Sequence, residues 1–299
     1  MISCNLAKAA HTYTYTYTYT YTHIHIHIHI HIHAHSPIQG YFLDNELSCP
    51  PTPNVALHTF LALPAHSPGY LIAREYKRQH HAQADAVVAS GFARLVAARY
   101  FQVTSAAVRH FDASHLVLGC KFMNVDGLAP LLAAAAPHVD AHALDVYAFT
   151  PGEHYMRGLF ENGGRLPFII AEFSFQSKQS FVKAKHVRGA GPVLDSQRQR
   201  AVAVSAFIDK VMQMEFVVGY HFFQYMDQPD TSSSNYGIVS VNDTVYDALL
   251  SALNRTNRQA RQIHARGRRA CPWDDGPTRT AGKFYGWHGR MRICGLPST

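Results

Sequence analysis

Between residues 37 and 257 one pattern recurs and limits the fold more than anything else in the chain: a short apolar run, a polar loop, then a stretch of helical spacing. The apolar runs are Ile38–Leu43, Leu116–Phe122, Val139–Tyr147, Phe168–Phe173 and Phe216–Gln224. Short apolar runs bounded by turn residues read as buried strands. Between them, 84–111, 126–136, 152–162, 197–213 and 244–254 read as helices; in the first, Val88, Phe92, Leu95 and Val96 recur at helical spacing. Asn162-Gly163-Gly164 supplies a helix stop, and SCPPTPN, after the first strand, reads as turns. Strands that alternate with helices need crossover connections, and these make the sheet parallel. Five βα units are predicted, so the fold class is α/β.

Charge does not belong to this body. The +7 formal charge lies in residues 258–299, where nine basic residues face Asp274 and Asp275, and both Trp (Trp273 and Trp287) lie there too. The opposite end holds TYTYTYTYTYT (12–22) and HIHIHIHIHIHAH (23–35). Alternation with period two describes a strand with every His on one face, a surface able to chelate metal. Such dipeptide repeats are also what a translated dinucleotide repeat yields, and low-complexity sequence is the preferred reading, with no metal expected. Three segments follow: 1–36 low complexity, 37–257 the α/β body, 258–299 a basic, solvated tail. No apolar run reaches the ~18 residues that would span a bilayer. The start, MISCNLAKAAHTYT, lacks the apolar stretch of a secretory signal. Localisation and oligomeric state stay open. Five scattered Cys with no CxxC pair argue against a disulfide framework or a structural zinc site.

Parallel α/β folds build their sites at strand C-termini. The first strand runs into Asp44-Asn45-Glu46, and the fourth carries Glu172 between Ala171 and Phe173. Two carboxylates at the ends of two strands suit glycoside hydrolysis: one protonates the leaving oxygen while the other attacks the anomeric carbon. A separation of about 5–5.5 Å gives retention of configuration.

The phrases GYFLDNEL (40–47), FDASHLVLGCKF (111–122), PFIIAEFSF (167–175), FVVGYHFFQYMDQP (216–229) and SNYGIVSVNDTVYDAL (234–249) follow one another over about 210 residues. Together they resemble the retaining (β/α)8-barrel glycoside hydrolases of the Glu/Glu clan, β-agarase and β-galactosidase-like members above all. The resemblance implies a partial (β/α)8 TIM barrel, its strands corresponding to the fourth to eighth, and the chain reads as truncated relative to that family. It makes Glu46 the general acid/base, Glu172 the nucleophile and Asn45 a partner of the sugar 2-hydroxyl. Tyr147 would orient Glu172, and His221 and Phe222 would line the floor under the sugar. No cofactor is implied, and the substrate class is a polysaccharide or oligosaccharide.

The chain departs from that pattern where Phe222 replaces an indole, Asp145 stands for Asn, and Lys121 stands for Arg. Asn235-Tyr236-Gly237 reads as a turn. Two other functions stay open: a catalytically inactive carbohydrate-binding remnant, and nucleic-acid association through ARQIHARGRRA (260–270) and GKFYGWHGRMR (282–292). The second would combine phosphate contact with base stacking, and a solvated tail is preferred to it.

Overall fold

The computed structural model describes residues 39–46, 53–123, 127–180, 191–228 and 235–266. The Thr-Tyr and His-Ile repeats, and the basic segment beyond Arg266 with both Trp, lie outside the described residues. The chain divides into two compact units. The first takes Met1–Lys121, Gly127–His142 and Asn162–Arg165; the second takes Phe122–Asp126, Ala143–Glu161 and Leu166–Thr299.

In the first unit the expected strand at 38–43 is reduced to β1 (Gly40–Tyr41), and a second short strand, β2 (Asp44–Asn45), follows beyond its expected end. The expected strand at 116–122 splits into β3 (Leu116–Val117) and β4 (Cys120–Met123). Gly119 between them has φ +70, a left-handed conformation that glycine enters without a Cβ penalty. The pieces still pair in parallel, Gly40 opposite Leu116 and Asp44 opposite Cys120.

Three helices follow β2: α1 (Pro53–Leu61), α2 (Pro68–Gln79) and α3 (Asp85–Phe111). The last matches the expected 84–111, whereas α1 and α2 were not anticipated. A start signal for α2 stands in the sequence: Ser67 caps the helix, its hydroxyl accepting from the Tyr70 amide at 3.3 Å, and Pro68 opens the first turn. The three helices share an apolar cluster of Ala56, Leu57, Ala73, Val88, Ala89, Phe92 and Ala93. Phe92 is its centre, with Phe60 and Tyr76 meeting it edge-on at 5.3 and 5.5 Å. Helix α4 (Ala129–Ala135) completes the unit. Arg109 holds both oxygens of Asp140 at 2.9 Å, and Asp140 also accepts from the Val117 amide at 2.7 Å, fixing α3 to the strand layer.

The second unit holds the end of β4, then β5 (His142–Asp145, whose first residue belongs to the first unit), β6 (Phe168–Phe173) and β9 (Val217–Phe222) as successive sheet neighbours. Strands β6 and β9 run parallel, with Phe168 opposite Val217 and Phe173 opposite Phe222. A small parallel pair, β7 (Gln176–Ser177) with β8 (Val193–Leu194), stands apart from this sheet. Helices α5 (Glu153–Asn162), α6 (Gln197–Met212) and α7 (Asp247–Arg266) complete the unit. On one sheet face Phe173 stacks on Phe207 of α6 at 4.4 Å, and Val204, Ile208 and Val211 are fully buried beside it. Helix α7 starts later than expected and runs well past residue 254. Ala252, Thr256 and Ala260, one turn apart, stay buried, so a face of small residues extends the helix across the charge boundary at 257/258.

Candidate active site

Each sequence-derived candidate is placed by the end of a strand. Glu172 is the penultimate residue of β6 and is 8 % exposed. Its neighbours Ala171 and Phe173 are buried, so the carboxylate leaves the chain inside an apolar setting. The Val146 amide donates to the Glu172 carbonyl at 2.7 Å, which extends the strand contact past the end of β5 and brings the next residue, Tyr147, level with the carboxylate. There the Tyr147 hydroxyl donates to Glu172 Oε2 at 2.6 Å. Burial, the bond to Glu172 and the charges of Glu172 and Asp145 push the phenol far above its ordinary range. Tyr147 is therefore a permanent donor, and the carboxylate has one oriented oxygen. Asp145, also fully buried, stands two residues before it on β5.

The ring of Tyr147 is packed by Phe223 at 6.2 Å and by Tyr236 at 5.5 Å. Its backbone is packed by Gly191, which has φ +91 and lies so close that an added Cβ would sit 3.1 Å from the Tyr147 carbonyl oxygen.

The expectation that Phe222 floors the site is corrected. Phe222 pairs with Phe173, their rings 5.5 Å apart, and the Arg200 guanidinium of α6 lies over it at 5.8 Å. Phe173 faces α6, and alternation along the strand sends Glu172 to the other face. The ring beside Tyr147 is Phe223, one residue on. His221 precedes Phe222 and is exposed. Asn235-Tyr236-Gly237 is not a turn of its own but a buried segment bound to its surroundings. The Asn235 side chain accepts from the Ser177 amide at 3.0 Å and donates to the Ser177 carbonyl at 2.7 Å. Phe223 and Tyr236 were missed because ring packing between distant segments leaves no local sequence signal.

In the first unit Asn45 ends β2 opposite Lys121 and is exposed. Glu46 follows with φ 45, and its amide donates to the Lys121 carbonyl at 2.8 Å. A left-handed φ at a non-glycine residue costs roughly 1–2 kcal/mol, and such residues concentrate at functional sites. Glu46 is exposed at this turn. Lys121 lies with its ammonium 6.0 Å from the centre of the Phe42 ring.

No protein-family model matches the chain. It is 31% identical over 173 residues to beta-agarase B of Vibrio sp. (strain JT0107), a match covering 55% of this chain and 17% of that protein. Beta-agarase A of the same organism is 29% identical over 168 residues, covering 53% and 16%. The chain thus spans about a sixth of the length of these relatives. Among solved structures, an agarase superposes with a TM-score of 0.63 at 28% identity, over 76% of this chain and 36% of that one. An exo-beta-agarase gives 0.63 at 23%, with the same coverage, and shows the shared fold alone. Over the part it covers, the chain is a relative of the agarase-type glycoside hydrolases and has their mixed α/β fold.

Proposed function

We propose that the body of this chain, residues 37–257, is part of a (β/α)8 barrel of about five βα units that hydrolyses β-galactoside or agarose-type linkages with retention of configuration. Segment 1–36 is an appendage to it, and the tail expected from residue 258 shares its first nine residues with α7. One observation carries the reading: a buried tyrosine donates to one oxygen of a buried glutamate, 2.6 Å away, at the C-terminal ends of neighbouring strands. A carboxylate held in this way is oriented, which is what a nucleophile in double displacement needs.

Glu172 attacks the anomeric carbon as a carboxylate, while Glu46, starting protonated, donates its proton to the departing glycosidic oxygen. The glycosyl ester on Glu172 then meets a water whose proton returns to Glu46, and the carbon–oxygen bond to Glu172 breaks. Asn45 holds the sugar 2-hydroxyl, and Tyr147 keeps Glu172 in register between the two steps. His221 is exposed at the end of β9, where it can reach a sugar, and Phe223 supplies the apolar surface first expected of Phe222. No cofactor or metal is needed for these steps.

The test is release of reducing sugar from agarose and of phenol from an aryl β-galactoside. Both are expected from the unaltered chain, and Glu172→Gln is expected to abolish them. Retention of the chain on agarose without any release would assign it a carbohydrate-binding role instead. Salt-sensitive retention of nucleic acid that needs residues 258–299, with no sugar release, would favour the tail.

A further inference from the structure

The geometry points to Tyr236 as a positioning residue: its ring, held by a buried arginine and two other anchors, keeps the Tyr147 hydroxyl on Glu172. This rests on the nucleophile reading for its consequence in catalysis, but its physical content is independent of it. Tyr236 is 4 % exposed and packs its ring against Tyr147 at 5.5 Å and Phe223 at 5.8 Å. Tyr147 and Phe223 are in turn 6.2 Å apart, so three rings form a closed triangle with the Tyr147 hydroxyl leaving it toward Glu172.

The backbone of Tyr236 is fixed on both sides. Arg200 of α6, fully buried, donates from Nη2 to the Tyr236 carbonyl at 2.5 Å and from Nη1 to the Gly237 carbonyl at 2.9 Å. Before Tyr236, the Asn235 side chain is paired with both backbone groups of Ser177, as described above. After it, the Gly237 amide donates to Asp227 Oδ1 at 2.7 Å. A side chain at Gly237 would collide with the Asp227 amide and the Val239 carbonyl, so only glycine fits. Asp227 also accepts from the hydroxyls of Tyr246 at 2.7 Å and Ser180 at 2.8 Å. Burial draws Arg200 down to about 10, with Asp227, Tyr246 and Tyr236 opposing that shift, so the guanidinium stays charged at neutral pH. A charged group in an apolar interior is costly unless its hydrogen bonds are made, and here the two successive carbonyls after the Tyr236 side chain take Nη1 and Nη2, while Nε has no hydrogen-bond partner among the described residues. The expense is concentrated where it fixes Tyr236.

The ring rather than the hydroxyl carries the effect. Its contacts with Tyr147 and Phe223 are direct. The test compares Tyr236→Leu, which removes the ring and leaves a smaller apolar side chain, with Tyr236→Phe, which keeps the ring. Tyrosine labelled with carbon-13 at Cζ reports the bond of Tyr147; its resonance is assigned by its loss in Tyr147→Phe, and Glu172→Ala sets the position without a carboxylate partner. In Tyr236→Leu the Tyr147 signal is expected to move at least halfway to that position, with melting still cooperative. In Tyr236→Phe it is expected to stay with the unaltered protein. On an aryl β-galactoside, Tyr236→Leu should lose about 10- to 100-fold in kcat with KM within about twofold, and Tyr236→Phe should restore kcat.

A folded Tyr236→Leu protein with an unmoved Tyr147 signal overturns the proposal. So does a Tyr236→Phe protein whose signal moves, and this second variant decides if Leu prevents folding. If the unaltered chain releases no sugar, the nucleophile reading fails, and the Cζ resonance still decides the positioning role.

Discussion

His142 offers a quantitative check on the packing of the first unit. It begins β5 and is 2 % exposed, and its Nε2–H donates to the Gly163 carbonyl at 2.7 Å. Burial pulls the imidazole down to about 4 from 6.5, and the bond to Gly163 only partly opposes this. Above the unfolded value both states carry a neutral imidazole, and His142 adds no pH dependence. Below it the unfolded chain takes up a proton that the folded chain refuses, so stability falls as pH drops from about 6.5 toward about 4. Each unit in that window is worth about 1.4 kcal/mol, which makes about 3 kcal/mol in all and about 2 kcal/mol between pH 7 and pH 5. Urea unfolding near each of those pH values, for the unaltered chain and for His142→Gln, isolates the term because other titrating groups are common to both. The unaltered chain is expected to lose about 2 kcal/mol more than the variant. Equal losses, or a His142 resonance titrating near the ordinary histidine value, would refute the reasoning.

Three further outcomes can be checked in the same way. Phe207→Ala removes a ring that is 1 % exposed and stacked on Phe173, and should lower unfolding free energy by about 3–5 kcal/mol in urea. Asp112 is pushed up by burial, but hydrogen bonds from Ser114, Tyr41 and His115 outweigh this and hold its carboxyl well below the usual carboxylate range. Its contribution is present above the unfolded value of 3.8 and is lost as pH falls below it, so acid unfolding of Asp112→Asn should be less steep than that of the unaltered chain. Tyr147→Phe removes the donor to Glu172 and should lower kcat/KM on an aryl β-galactoside by about tenfold or more, while leaving agarose retention in place.

The sequence revealed elements whose apolar pattern is self-contained. FIIAEF is a strand wherever it is placed, and it coincides with β6; the long spacing pattern of 84–111 coincides with α3. Positions that depend on distant partners were less legible. Helix α1 was hidden behind three prolines (Pro50, Pro51 and Pro53) that read as turn, although Pro53 in fact opens the helix, as proline at a first helical position can. The break at Gly119 depends on a backbone conformation that the apolar run LVLGCKF conceals. In the site, Glu172 could be named because it stands near the end of an apolar run, and Tyr147 only through the family resemblance. Phe222 was misassigned because the sequence HFF does not say which of two adjacent rings faces the sheet's helical side. Tyr236 was read only as part of a turn: the ring contact with Tyr147 and the hold of Arg200, thirty-six residues earlier, leave no local signal.

The carbonyl that His142 reaches belongs to Gly163, in the four-residue piece Asn162–Arg165 that the first unit takes from far along the chain. During synthesis, a nascent chain ending anywhere before this piece lacks the Gly163 carbonyl that His142 meets in the folded unit. Most of the second unit's first helix must therefore emerge before the first unit can close. Nor does any single cut release either unit whole, since each is assembled from three separated stretches. Fragments made at one boundary should fold only when their complement is supplied.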